Sequence, residues 1–151
     1  MLELKDHLRD YATEAFRYYA RCGRPTYEEM KRAIYNMVYE SSRRDLTRVK
    51  GVSNPTQQAV IKAEAAVDAK MGELLDILAV ESALRLMRPE WKRAVEIAYF
   101  AEAQYELERG EIKNRVTKAE IEIPASCRQV YRWLKKAREL FAVERGLRLP
   151  G

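Results

Sequence analysis

Ser126-Cys127-Arg128-Gln129-Val130-Tyr131-Arg132-Trp133-Leu134-Lys135-Lys136-Ala137-Arg138-Glu139-Leu140-Phe141 is the stretch whose reading decides the fold. Ser126 is a helix-capping residue type, and Gln129 stands three positions on as the partner of a capping box. Val130, Leu134, Ala137 and Phe141 then recur at i, i+4, i+7 and i+11, an apolar stripe along one side of a helix. Arg128, Arg132 and Lys135 fall on the opposite side, flanked by Gln129 and Lys136, because residues two apart turn by about 200° at 3.6 residues per turn. The pattern predicts one helix that docks by its apolar side and leaves a cationic side open.

The residues just upstream give this helix a companion. Ile123-Pro124-Ala125 reads as a tight connection, since proline disfavours helix in the residue before it. Thr117 is placed to cap a short helix containing Ala119, Glu120 and Ile121. A short helix, a brief turn and a longer basic helix make a helix-turn-helix, whose second helix enters the DNA major groove. Ser126, Arg128 and Gln129 then lie at the helix start, where side chains reach base edges. Arginine suits guanine and glutamine suits adenine, whereas Lys135 and Lys136, further along, suit phosphates. Arg132 on the same stripe and Lys118 on the short helix complete the DNA-binding candidates. Tyr131 and Trp133 are expected to pack at the helix edges, with a sugar contact as the other use.

Charge is distributed to match. Residues 112–151 hold ten Lys/Arg against four Asp/Glu, and the other 111 residues hold eighteen against nineteen. A near-neutral body joined to an end of net charge +6 is the footprint of a nucleic-acid binder, because phosphate contacts need cations grouped on one face.

The rest of the 151 residues supports a helical body. With only six Gly and five Pro, few turns are available. Leu4, Leu8, Tyr11, Ala15 and Tyr18 predict a helix from about residue 2 to 21, ended by Gly23-Arg24-Pro25. Thr26 with Glu29 opens a second, with Met30, Ile34 and Met37 or Val38 inward and its end frayed at Ser41-Ser42-Arg43-Arg44. Residues 47–53 read as a loop. Asn54-Pro55 starts a third helix that runs toward Met87, with Val60, Val67, Leu74, Leu75, Leu78 and Leu86 on its stripe and Gly72 as a kink point. Pro89 opens a fourth, in which Trp91, Val95, Ala98, Tyr99 and Leu107 face inward and Gly110 is the stop. Ile121-Glu122-Ile123 alternates but is too short to build a sheet. The expected fold is all-α, in three parts: residues 1–50 as a helical hairpin, 54–110 as a long-helix body, and 111–151 as the helix-turn-helix module.

Composition narrows the function classes. No run approaches the roughly 20 apolar residues of a membrane span, and the start shows no secretion signal. Cys22 and Cys127 have neither metal-site spacing nor the density of a disulfide scaffold, so a reduced, cytoplasmic protein is expected. There is a single histidine, His7, read as a surface residue. With no Gly-rich phosphate loop, no ligand cluster and no nucleophile beside an evident base, an enzyme is not expected, and no cofactor or metal is assigned. Glu120 and Glu122 read as solvent charges and not as a catalytic pair.

The capped basic helix from Ser126 to Ala137 resembles the final helix-turn-helix of bacterial sigma factors, the module that reads a promoter element. Ser53-Asn54-Pro55-Thr56 and Ala94-Val95-Glu96-Ile97-Ala98-Tyr99-Phe100 resemble RinA/ArpU-type regulators of phage and prophage late genes. The resemblance covers about residues 53 to 145 and departs from the sigma pattern at Pro124, where a glycine or polar turn residue is more usual. It implies a phage-type transcriptional regulator working on double-stranded DNA in the bacterial host cell. RNA polymerase and self-association are the further partners it suggests. Two other readings compete. A small terminase subunit would use the same module to recognise viral DNA for packaging, and a helical interaction protein would use the basic end on an acidic partner.

Overall fold

Asp6 opens the computed structural model's first helix, its carboxylate accepting the Arg9 N–H at 2.9 Å, and α1 follows as His7–Arg21. The structure describes residues 6–49, 51 and 53–147. Leu4 and the last four residues of the basic segment therefore lie outside the described residues. The buried face of α1 is Ala12, Ala15, Phe16 and Tyr19, with Leu8 and Tyr18 half-buried and Tyr11 exposed. The expected stripe is thus rotated, because the two bulky rings Phe16 and Tyr19 seek the core ahead of Leu8 and Tyr11. Gly23 at φ +86° ends the helix as the sequence predicts: Gly23 N–H bonds Ala20 O and Arg24 N–H bonds Tyr19 O.

By contacts the chain divides into two units, one running from Pro25 to Leu75 and the other joining the residues up to Arg24 with those from Asp76 onward. The Pro25–Leu75 unit is a hairpin of α2 (Tyr27–Thr47) and α3 (Pro55–Ala69). Thr26 caps α2 through the Glu29 N–H at 3.1 Å, and Asn54 caps α3 through the Gln57 N–H at 3.1 Å with Pro55 at its first position. Ser41 to Arg44 do not fray but continue α2 to Thr47. The helix meant to reach Met87 breaks at Lys70 (φ −100°, ψ 11°), two residues before Gly72, and α4 (Met71–Leu86) begins there. Along this stretch Ala59, Ala63, Val67, Leu74, Ile77, Val80 and Ala83 are buried, whereas Leu78 and Leu86, placed inward by the sequence, are exposed. Val67 and Leu74 are buried as their spacing implies, and the first half of the α3 seam is alanine, which carries no large apolar signal. This grouping differs from the division at residues 50 and 110: α2 pairs with α3, while α1 packs on the C-terminal helices.

In the other unit, α5 (Pro89–Val95) passes into a π-helical turn, Glu96–Phe100, closed by Ala101 N–H to Glu96 O at 3.1 Å. The helix ends there and not at Gly110, which at φ +82° instead precedes α6 (Glu111–Glu122). Three arginines hold the intervening loop. Arg17, only 2% exposed, donates to the carbonyls of Tyr99 (2.9 Å), Ala101 (3.5 Å), Glu102 (3.1 Å) and Tyr105 (2.5 Å). Arg115 donates to Ala98 O at 3.1 Å and Ala101 O at 2.7 Å, and Arg21 to Ala103 O at 3.4 Å. These guanidinium groups satisfy carbonyls that a helix end leaves orphaned, so tertiary bonding overrides the local helix preference of residues 101–109. Leu107, expected on a helix face, is half-buried in that loop.

α6 and α7 (Cys127–Arg145) are joined by four residues, with Ala125 N–H bonded to Glu120 O at 3.2 Å. α6 is longer than expected, and Thr117 sits inside it, its hydroxyl donating to Lys113 O at 3.1 Å instead of capping. Every regular element among the described residues is helical, and no described helix is long and apolar enough to cross a membrane.

Candidate nucleic-acid interface

α7 is fixed at its start and along one side. Ser126 Oγ accepts the Gln129 N–H at 3.2 Å, and Gln129 Oε1 accepts the Ser126 N–H at 3.4 Å, a complete capping box. Val130, Leu134, Ala137 and Phe141 are all buried, to 1% exposure or less. Phe141 lies 5.8 Å, ring to ring, from both Tyr11 and Phe16 of α1. At the far end, Arg145 Nε donates to Asp76 Oδ1 at 2.7 Å, and Tyr11 Oη donates to the same oxygen at 2.5 Å. Arg138 is turned inward, donating to Tyr99 Oη at 2.8 Å. Packing and these anchors set the rotation of α7 about its axis.

The side turned out is the cationic one. Arg128, Arg132, Lys135 and Lys136 are all exposed. Arg128, Arg132 and Lys135 form no ion pair among the described residues, and Lys136 has only a 3.7 Å contact with Glu139. Four cations over nine residues, facing one way and three of them without an ion pair among the described residues, form a surface that can take up phosphate oxygens.

The remaining candidates are placed less simply. Ser126 and Gln129 are exposed but committed to each other: the Ser oxygen and the Gln carbonyl oxygen are both occupied, leaving the Gln amide N–H groups as donors. Lys118 is exposed on α6 and sits 3.9 Å from Glu122, which also accepts Arg93 at 3.0 Å. It lines a recess with Arg24, Arg93 and Glu96, apart from the α7 stripe. Lys113 carries no local sequence signal that sets it apart. It is exposed on α6, and its charge reaches Cys127 at the first turn of α7. Only the α6–α7 packing reveals that neighbour, since the two stand fourteen positions apart in sequence.

Cys127 is exposed, and its thiol is held above its usual pKa by desolvation and then by the neighbouring Glu120. Tyr131, partly exposed, is shifted up by desolvation and then by Cys127 and Glu120. No group of three or more His, Cys, Asp or Glu suited to a metal ion occurs among the described residues. Trp133 is half-buried at the helix edge.

No family model, curated protein or solved structure matches the chain.

Proposed function

We propose that α6, the four-residue connection and α7 act as a helix-turn-helix, and that the protein is a sequence-specific regulator binding double-stranded DNA. The resemblance noted above gives it a place among controllers of phage or prophage late genes. The observation that carries the reading is the division of α7: its apolar stripe is sealed in the core, while Arg128, Arg132, Lys135 and Lys136 face outward, three of them without an anionic partner among the described residues. A helix anchored this way presents its first two turns to a major groove, with Arg128 and the Gln129 amide at the base edges.

The test is affinity for duplex DNA from upstream of its own gene and its neighbours, against scrambled duplex, over a salt series. The expected log–log slope is about −0.9 for each neutralised phosphate, with tighter binding to the native sequence. Arg128→Ala relaxes sequence preference at a cost of about 1–3 kcal/mol, whereas Lys135→Ala and Lys136→Ala weaken all sequences alike. A slope near zero removes the phosphate contacts from the reading. Equal loss on native and scrambled DNA for every variant would leave an unspecific polyanion binder.

A further inference from the structure

α2 carries an apolar arc wider than the face that α3, its one extensive neighbour among the described elements, covers. Met30, Ile34 and Val38 lie toward one edge and Tyr35, Tyr39 and Leu46 toward the other, an arc of about 180° at 3.6 residues per turn. All six are half-buried, and none of the 21 residues of α2 is fully buried. α3 meets α2 through a narrow seam of small residues, Ala59, Ala63 and Val67. Met37, 68% exposed and about 20° beyond Met30 around the helix, extends the arc on that edge. An arc of this width is normally covered by two neighbours, as in a four-helix bundle.

Charge says which neighbour fits. The turn end of the hairpin, residues 38–62, holds five Lys/Arg and two Asp/Glu. The open end, residues 25–37 with 63–75, holds three Lys/Arg and five Asp/Glu. The hairpin therefore runs from a net +3 at its turn to a net −2 at its base. A second copy laid antiparallel sets each basic end against an acidic end, and a two-fold axis satisfies that match twice with one surface.

We propose that the α2–α3 hairpin is the self-association surface, two copies packing antiparallel into a four-helix bundle. This goes beyond the DNA reading and does not depend on it. In the proposed contact, Met37 lies in the apolar seam, and Arg43 and Arg44 of one copy face Glu28 and Glu29 of the other.

The mass of the full chain, measured without DNA by sedimentation equilibrium over a concentration series, tests it. Two copies are expected. Met37 is already exposed, so Met37→Glu leaves the circular dichroism unchanged while weakening the dimer by roughly tenfold or more, about 1.4 kcal/mol per factor of ten. Arg43→Glu with Arg44→Glu weakens it at low salt, and adding Glu28→Lys with Glu29→Lys restores it. A monomer at every concentration overturns the proposal, as does a ring of higher order. A dimer indifferent to Met37→Glu also overturns it, and so does a charge exchange without rescue. Because no DNA enters the measurement, the DNA reading and this one fail separately.

Discussion

Arg17 lies almost wholly inside the protein with no ion pair to a carboxylate among the described residues, its charge met by four backbone carbonyls of the π turn and the segment after it. Burial, and then the nearby Arg115, push its pKa below the usual arginine value, so the carbonyl dipoles act against a real desolvation cost. Hydrogen bonds to a charged group contribute about 1.5–3 kcal/mol, and a buried carbonyl left bare costs about 1–3. Arg17→Met is therefore expected to lower unfolding stability by about 3 kcal/mol or more in urea titrations. Arg17→Lys is expected to recover little, since one ammonium cannot span four acceptors. A neutral Arg17→Lys would mean the carbonyls are satisfied without the fork. The Tyr11–Asp76–Arg145 cluster makes a different prediction. Tyr11 is raised above its ordinary 10.0, first by burial and then by Asp76. A raised folded pKa stabilises fully below pH 10 and is lost as pH climbs through the shifted value. Stability should then fall more steeply above pH 10 in the native protein than in Tyr11→Phe, read by thermal melts across alkaline pH.

At the scale of the element, α7 asks its first turn to serve two purposes. Gln129 closes the capping box with its carbonyl oxygen and, in the proposed complex, donates its amide to a base. Gln129→Glu separates these. Glutamate serves the box equally well and suits a helix N-terminus, so stability should hold or rise slightly. DNA affinity should fall, because the amide donor is gone and a negative charge faces phosphate. Ser126→Ala should instead cost about 1 kcal/mol of stability through the lost cap, measurable by denaturation without DNA. If both variants lose stability and affinity in step, the helix start is merely structural. This element was also the most legible in the sequence, for a physical reason. Cap, box and stripe are local patterns, and Ser126, Gln129, Val130, Leu134, Ala137 and Phe141 all took the places their spacing implied. The end of α5 was illegible for the converse reason. Residues 101–109 have helical character, but Arg17, more than eighty positions away, bonds the carbonyls there. Likewise the Ala59–Ala63 seam carried no large apolar signal, and Lys113 acquired its neighbour only through α6–α7 packing.

Across the whole molecule, the basic C-terminal segment is not an independent piece. The stripe of α7 is sealed by residues the segment does not contain: Phe141 lies against Tyr11 and Phe16, Arg138 reaches Tyr99, and Arg145 reaches Asp76. α5 packs on α7 as well, and Arg115 of α6 is bonded to carbonyls at 98 and 101. A fragment of residues 111–151 would expose the apolar side of α7 to water and lose these anchors, while keeping all the cations of the proposed interface. Short helices without tertiary support are marginal in water. The fragment should therefore show little helix by circular dichroism and bind DNA only as a flexible polycation, with a salt slope but no preference for native over scrambled sequence. Residues 1–24 and 76–151, connected by a short linker in place of the α2–α3 hairpin, should regain helix and sequence preference together, since they retain every anchor of α7 named here. If the isolated fragment discriminates sequences as well as the full chain does, the rotation of α7 is not set by α1 and the π turn. The cationic face would then owe its direction to the helix alone.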